Sequence, residues 1–93
     1  MSAPSEKAAA AQAERVNDLH NVLATESGRR FVWRLLELSG QFQCSMGQTP
    51  EETAFNEGRR QAGIALAAEC SAHALDRFLQ MQEEGYRRLR GSI

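Results

Sequence analysis

Large apolar side chains recur at helical spacing in the central stretch of the chain. Four of them are spaced at i, i+4, i+7 and i+11 and therefore share one face of a helix: Phe31, Leu35, Leu38 and Phe42. Val32 and Leu36 widen this face on one side. The only tryptophan, Trp33, falls outside the face, and we expect it to contact a partner.

Two threonines mark the starts of predicted helices. Thr25 precedes an acidic residue and the apolar stretch, so it is a suitable N-cap. Thr49 is followed by Pro50 and, three residues on, by Glu52, which together form a capping box. Residues 39 to 48 contain two glycines among small polar residues and are predicted to form a loop, from which Phe42 folds back onto the core.

The first residues are rich in alanine. Ser5 is a suitable N-cap for a helix through this segment, but only Val16, Leu19 and Leu23 form an apolar stripe, and a narrow one. We therefore divide the chain into an N-terminal arm, residues 1–15, and a bundle domain, residues 16–93. Because alanine favours helix but buries little area, we expect residues 5 to 15 to project and to pack against another copy or another protein.

The second half of the chain contains two further stripes. The first is Phe55, Arg59, Ala62 and Leu66, flanked by Gly58 and Gly63, which predict close helix packing. The second is Leu75, Phe78, Leu79, Gln82, Tyr86 and Leu89. These stripes are out of phase at 100° per residue, so we expect a break between Ala67 and Ala74, with Ser71 as a cap. A single long helix that packs opposite faces at its two ends is the alternative.

These elements predict an all-α fold, a small bundle of three to four helices with a projecting N-terminal Ala-rich helix. With 93 residues the chain forms one domain with a modest core, so a partner would add stability.

The charged residues offer candidate binding groups. The 11 basic and 12 acidic residues nearly cancel, yet ten of the basic residues are arginine, which binds carboxylate and phosphate bidentately. Gly-Arg-Arg occurs twice, and with Trp33 its arginines are the candidate partner-binding residues: Arg29, Arg30, Arg59 and Arg60. They could form a ligand clamp, or structural ion pairs with nearby glutamates. Arg59 lies on an apolar stripe, so it either pairs with Glu37 or extends to solvent along the helix edge.

No arrangement typical of catalysis or metal binding is present in the sequence. Cys44 and Cys70 form no CxxC motif, and with His20 and His73 they lack the paired spacing of a zinc site. No nucleophile elbow or HExxH motif occurs. We expect no enzyme activity, no metal and no cofactor. The two cysteines suit a reducing compartment, and neither an apolar segment long enough to span a membrane nor a signal-peptide pattern is evident.

Three blocks of sequence resemble a family of small helical proteins of tailed-phage and prophage genomes, the Bordetella-phage-like domain family. They are GRRFVWRLLELSG at 28 to 40, ETAFNEGRRQAG at 52 to 63 and FLQMQEE at 78 to 84, and the resemblance extends over residues 16 to 86. The family has a Pro-containing break before its last helix, where this chain has Ser-Ala-His-Ala.

Members are encoded among head and portal genes and are sometimes labelled endopeptidase, a label that the residues here do not support. The resemblance implies a virion or assembly protein, made in the host cytoplasm, that acts at the head, portal vertex or head-to-tail region. Its expected partners are other copies of itself and other phage structural proteins. The alternative is an Arg-mediated DNA-contacting protein that is packaged in the head or ejected from it.

Overall fold

The computed structural model describes residues 3–40 and 44–91, which form four helices and no strand. The helices are α1 (Ala3–Leu23), α2 (Glu26–Ser39), α3 (Pro50–His73) and α4 (Leu75–Gly91). The predicted all-α bundle is confirmed. None of these helices is long and apolar enough to cross a membrane. The predicted packing of Phe42 lies outside the described residues.

Both threonine caps form as predicted. The Thr25 hydroxyl accepts a hydrogen bond from the Gly28 backbone N–H, and the Thr49 hydroxyl accepts one from Glu52, each at 3.0 Å. These bonds satisfy N–H groups that have no partner within the helix. The prediction of Ser5 as a cap is wrong, because α1 already begins at Ala3.

The predicted break between the last two helices is confirmed, at Ala74. This residue leaves helical geometry with φ −149° and ψ 53°, and its N–H still bonds to the Cys70 carbonyl. Ser71 does not cap the new helix, because it lies inside α3. The kink rotates α4 so that Phe78 and Met81 point into the same core as Leu66.

The core lies around α2, which packs against each of the other three helices. Among the described residues it contains seven buried apolar side chains: Leu23, Val32, Trp33, Leu36, Cys70, Ala74 and Met81. Val32 and Leu36, predicted to widen the packing face of α2, are buried, but the centre of the predicted face is wrong. Trp33 is only 7 % exposed, whereas Phe31, Leu35 and Leu38 are 45 %, 44 % and 64 % exposed.

The molecule is flat and extended, measuring 52 × 37 × 16 Å. Its radius of gyration is 16.2 Å, against about 12 Å for a compact domain of this length. Part of this extension comes from α1, where every side chain from Ser5 to Arg15 is exposed. The helix continues without a break past residue 15, and the Gln12 side-chain amide lies 3.4 Å from Nε2 of His73. A partner for this segment stays a prediction.

Candidate interaction surfaces

The junction between α2 and α4 depends on a tryptophan placed against a glycine. A Cβ atom on Gly85 would lie 2.5 Å from Cε2 and Nε1 of Trp33, closer than real carbon atoms approach. Tyr86 adds an edge-to-face contact with the indole at 5.8 Å between ring centroids. Glycine at position 85 thus lets the indole lie directly on the α4 backbone and brings the two helices close together.

A buried ion pair closes the same junction at the N-terminal end of α2. Arg29 Nε and Nη2 donate to the two carboxylate oxygens of Glu84 at 2.9 and 3.0 Å, and Nη1 donates to the Leu23 carbonyl at 3.0 Å. The side chains are only 6 % and 14 % exposed. One guanidinium therefore joins α2, α4 and the end of α1.

This geometry shifts both ionisation equilibria. Hydrogen bonding from Arg29 lowers the pKa of Glu84, although burial opposes the shift. The same hydrogen bond raises the pKa of Arg29. Both groups stay charged around neutral pH, and the pair is a structural link of the fold.

The structure does not gather the two Gly-Arg-Arg segments into a clamp. Arg29 is buried in its ion pair, so its predicted partner-binding position is wrong. Arg59 lies near Gly40, at the other end of α2, about 16 Å from Arg29 by the 1.5 Å helix rise. This separation along α2 excludes a single phosphate or carboxylate group that both segments bind in this conformation.

The remaining arginines of these segments have local contacts. Arg30 pairs with Glu26 at 3.8 Å, and Arg60 pairs with Glu57 at 3.3 Å, as expected for helical neighbours. The predicted ion pair of Arg59 with Glu37 does not occur among the ion pairs of the described residues. Arg59 lies over the Phe55 ring at 5.9 Å, on the side of α2 that faces α3, while Glu37 lines a cavity on the α4 side.

An apolar row on α4 lies outside the core, and we call it the α4 seam: Leu75, Leu79, Gln82, Tyr86 and Leu89. Gln82 is partly buried, and the four large apolar members are 50 %, 52 %, 51 % and 63 % exposed in that order. The neighbouring side of α4 supplies Phe78, Met81 and Gly85 to the bundle interior. Helix α4 thus presents apolar residues on two sides, and the described residues cover only one of them.

Helix α2 has a similar uncovered row, the α2 outer stripe: Phe31, Leu35 and Leu38. The Arg34 guanidinium lies over the Phe31 ring at 5.2 Å, an arrangement that covers part of one ring. Isolated exposed apolar residues are ordinary in soluble proteins, but two such rows at helical spacing on a small chain are candidate interaction surfaces.

Two shallow cavities border these rows. One of about 260 Å³ lies between α2 and α4 and is lined by Trp33, Glu37, Gly85, Tyr86 and Leu89. The other, of about 350 Å³, lies at the helix break and is lined by His20, His73, Ala74, Leu75, Asp76 and Arg77. Within the described residues, no group of three or more His, Cys, Asp or Glu is placed to hold a metal ion. Cys44 is exposed and Cys70 is buried, so the thiols lie in different environments.

Sequence reasoning missed Glu84 and Gly85, the residues that position Arg29 and Trp33. One signal was available, because Arg29, Val32, Trp33 and Leu36 are themselves spaced as one helix face. The α2 outer stripe has larger side chains at the same helical spacing, so the sequence pattern favours it as the buried face. No local pattern connects Arg29 with a glutamate 55 residues away.

Comparison with known proteins agrees with the resemblance in the sequence. No curated protein and no solved structure matches the chain. The family model described as Bbp19-like phage protein matches residues 19–83, which include α2, α3, the kink and the Arg29 end of the junction. The whole Ala-rich arm, residues 1–15, lies outside the match. The chain therefore belongs to the family of Bbp19-like phage proteins.

Proposed function

We propose that this protein is a non-enzymatic structural or assembly component of a phage particle, acting at the head, portal vertex or head-to-tail region. It docks through its exposed helix faces, with other copies of itself and other phage structural proteins as partners. The observation that carries this proposal is the large uncovered surface of a small phage protein. Its accessible surface is 6664 Å², against about 5,400 Å² for an ordinary monomer of its mass.

The distribution of that surface favours docking over chemistry. The α4 seam and the α2 outer stripe expose apolar rows of the type that helices bury against other helices. The strongest polar contact of the described residues, between Arg29 and Glu84, is already satisfied within the fold. Apolar docking would also lower the free energy of a chain in which only seven of the described apolar residues are buried in the core.

The test is the protein content of purified particles. Particles of the phage or induced prophage that encodes the chain are banded on a density gradient and analysed by quantitative mass spectrometry. We expect the chain at a fixed ratio to the major head protein across the band. A non-structural phage protein of similar size serves as the control, and abundance no higher than this control, despite production in the cell, would overturn the proposal.

The DNA-contacting alternative has one supporting observation. Arg34 and Arg59 each lie over an exposed phenylalanine ring, and such cation–aromatic pairs could also contact bases or phosphates. The predicted arginine clamp does not support this alternative, because Arg29 is buried and lies far from Arg59. A DNA gel shift that weakens steeply with added salt, and that weakens further in an Arg34→Gln and Arg59→Gln double variant, would favour this alternative.

A further inference from the structure

The members of the α4 seam follow the spacing of a coiled-coil contact. From Leu75 the intervals are four, three, four and three residues, which is the a/d spacing of two heptads. This spacing keeps a row of side chains facing one partner helix along its length. The seam is about 21 Å long at 1.5 Å per residue. Its exposure shows that no described part of the chain acts as that partner helix.

We propose that the partner is α4 of a second copy, bound antiparallel across a twofold axis. This inference rests on the proposed docking role and names its partner at one surface. In this register Leu79 faces Leu89 of the second copy, and Gln82 faces Tyr86 of the second copy. Twofold symmetry repeats each of these two contacts, so Leu79, Gln82, Tyr86 and Leu89 form four layers of facing side chains.

The charges beside the α4 seam determine the antiparallel direction. Asp76, Glu83 and Arg90 are exposed and spaced seven residues apart, so they follow the solvent side of the seam. Antiparallel pairing brings Asp76 near Arg90 of the second copy at both ends. Parallel pairing would place each of these residues beside the identical residue of the second copy, and therefore beside a like charge. Opposite charges at such flanking positions set the orientation of paired helices.

The centre of the proposed interface is also compatible with this arrangement. Glu83 would lie near Glu83 of the second copy, but Arg87 already bonds to this carboxylate at 2.8 Å and offsets its charge. The Gln82 amide can donate a hydrogen bond to the Tyr86 hydroxyl of the second copy, because both groups have donors and acceptors. A polar layer of this kind fixes the register of a helix pair at some cost in stability.

The surface of the whole chain leaves room for an interface of ordinary size. The chain exposes about 1,300 Å² more than expected for its mass, and α1 contributes part of this excess. A typical specific interface covers about 800 Å² on each partner. The net charge of −1 gives two copies little reason to repel each other.

The first test is the mass of the full chain in solution by sedimentation equilibrium. We expect a dimer of twice 10.3 kDa for the wild type. Leu79→Glu buries a carboxylate in the interface and should raise the dimer Kd by roughly a hundredfold or more. Leu38→Glu is the matched control, because it makes the same change at a similarly exposed leucine of α2 and should leave the Kd within about threefold. Circular dichroism checks that both variants remain helical.

A second test determines whether the two α4 helices are antiparallel, and it does not require a variant that weakens the apolar contact. In a Cys44→Ser background, Asp76→Cys and Arg90→Cys proteins are treated with a short bis-maleimide, separately and mixed. Cys70 stays unreactive, because it is buried and burial raises the pKa of its thiol. We expect cross-linked dimers in the mixture and far fewer with either protein alone.

Three outcomes would overturn the inference: a wild-type chain that is monomeric at every concentration, a dimer broken by Leu38→Glu and not by Leu79→Glu, or efficient cross-linking of the Asp76→Cys protein with itself. The second outcome would assign the contact to the α2 outer stripe, and a monomer would assign the α4 seam to a different protein. The proposed function is judged separately, because a monomeric chain can still be present in particles, and a dimer can be absent from them.

Discussion

The inner and outer sides of α4 both carry large apolar residues but differ in how these residues are covered. The inner side combines Met81 with Gly85 and Glu84, whose shape and charge match Trp33 and Arg29 across the junction. The outer side, the α4 seam, has a regular spacing and no partner among the described residues. The inner side is irregular in shape and fits α2 of the same chain. The α4 seam is regular and is suited to pack against a second helix with the same spacing. The contacts that stabilise the fold thus lie on the inner side of α4, and the outer side carries the docking surface that we propose.

The largest effect that would test this comparison is expected at the inner ion pair. Glu84→Gln keeps the shape of the side chain but leaves the Arg29 charge buried without a carboxylate. We expect the free energy of unfolding to fall by about 3 kcal/mol, as measured by urea titration. Glu26→Gln is the control, because its exposed partner Arg30 lies 3.8 Å away, and it should cost less than about 1 kcal/mol. Equal losses in the two variants would contradict the structural role of the inner pair.

The same pair predicts a dependence of stability on pH. Because the pKa of folded Glu84 lies below that of an unfolded glutamate, about 4.3, its contribution is complete above pH 4.3 and is lost as the pH falls through the folded pKa. Unfolding measured between pH 7 and pH 3 should therefore show a steeper loss in the wild type than in Glu84→Gln. Parallel curves would show that Glu84 is not responsible.

A smaller effect is expected at the contact between Gly85 and Trp33. Gly85→Ala places a methyl group against the rigid, buried indole, so the helices must separate, at a cost of about 2 kcal/mol. Gly58→Ala makes the same change in α3 where a Cβ meets nothing within 4 Å, and it should stabilise the chain by about 0.5 to 1 kcal/mol. Thermal unfolding of both variants gives the comparison, and stabilisation by Gly85→Ala would contradict the close contact.

The smallest effect is expected on the outer side of α2. Leu38→Ser removes an exposed side chain that the fold hardly uses, so the free energy of unfolding should change by less than about 1 kcal/mol. The same urea titration measures it. A loss similar to that of Glu84→Gln would show that the α2 outer stripe is part of the core and would remove the distinction between covered and uncovered sides.

Several site predictions failed for one physical reason, namely that α2 is apolar around more than half of its circumference. Periodicity identifies the rows but does not rank them, and the larger residues Phe31 and Leu38 favoured the wrong one. The sequence predicts an outward-facing Trp33, but the indole packs on Gly85. It also predicts Arg29 as a partner-binding residue, but its guanidinium is paired with Glu84. Gly58, expected to allow close packing, has open space instead.

The sequence by itself determined the features that depend on neighbouring residues. Thr25 and Thr49 fixed two helix starts, and the phase change before Leu75 predicted the break, because caps and helical phase act within a few residues. Only the tertiary structure decided which side of each helix is buried and which carboxylate neutralises Arg29. Those choices depend on the volume and charge that distant segments place opposite each other, and a glycine shows its role in packing only when its neighbour across the junction is in place.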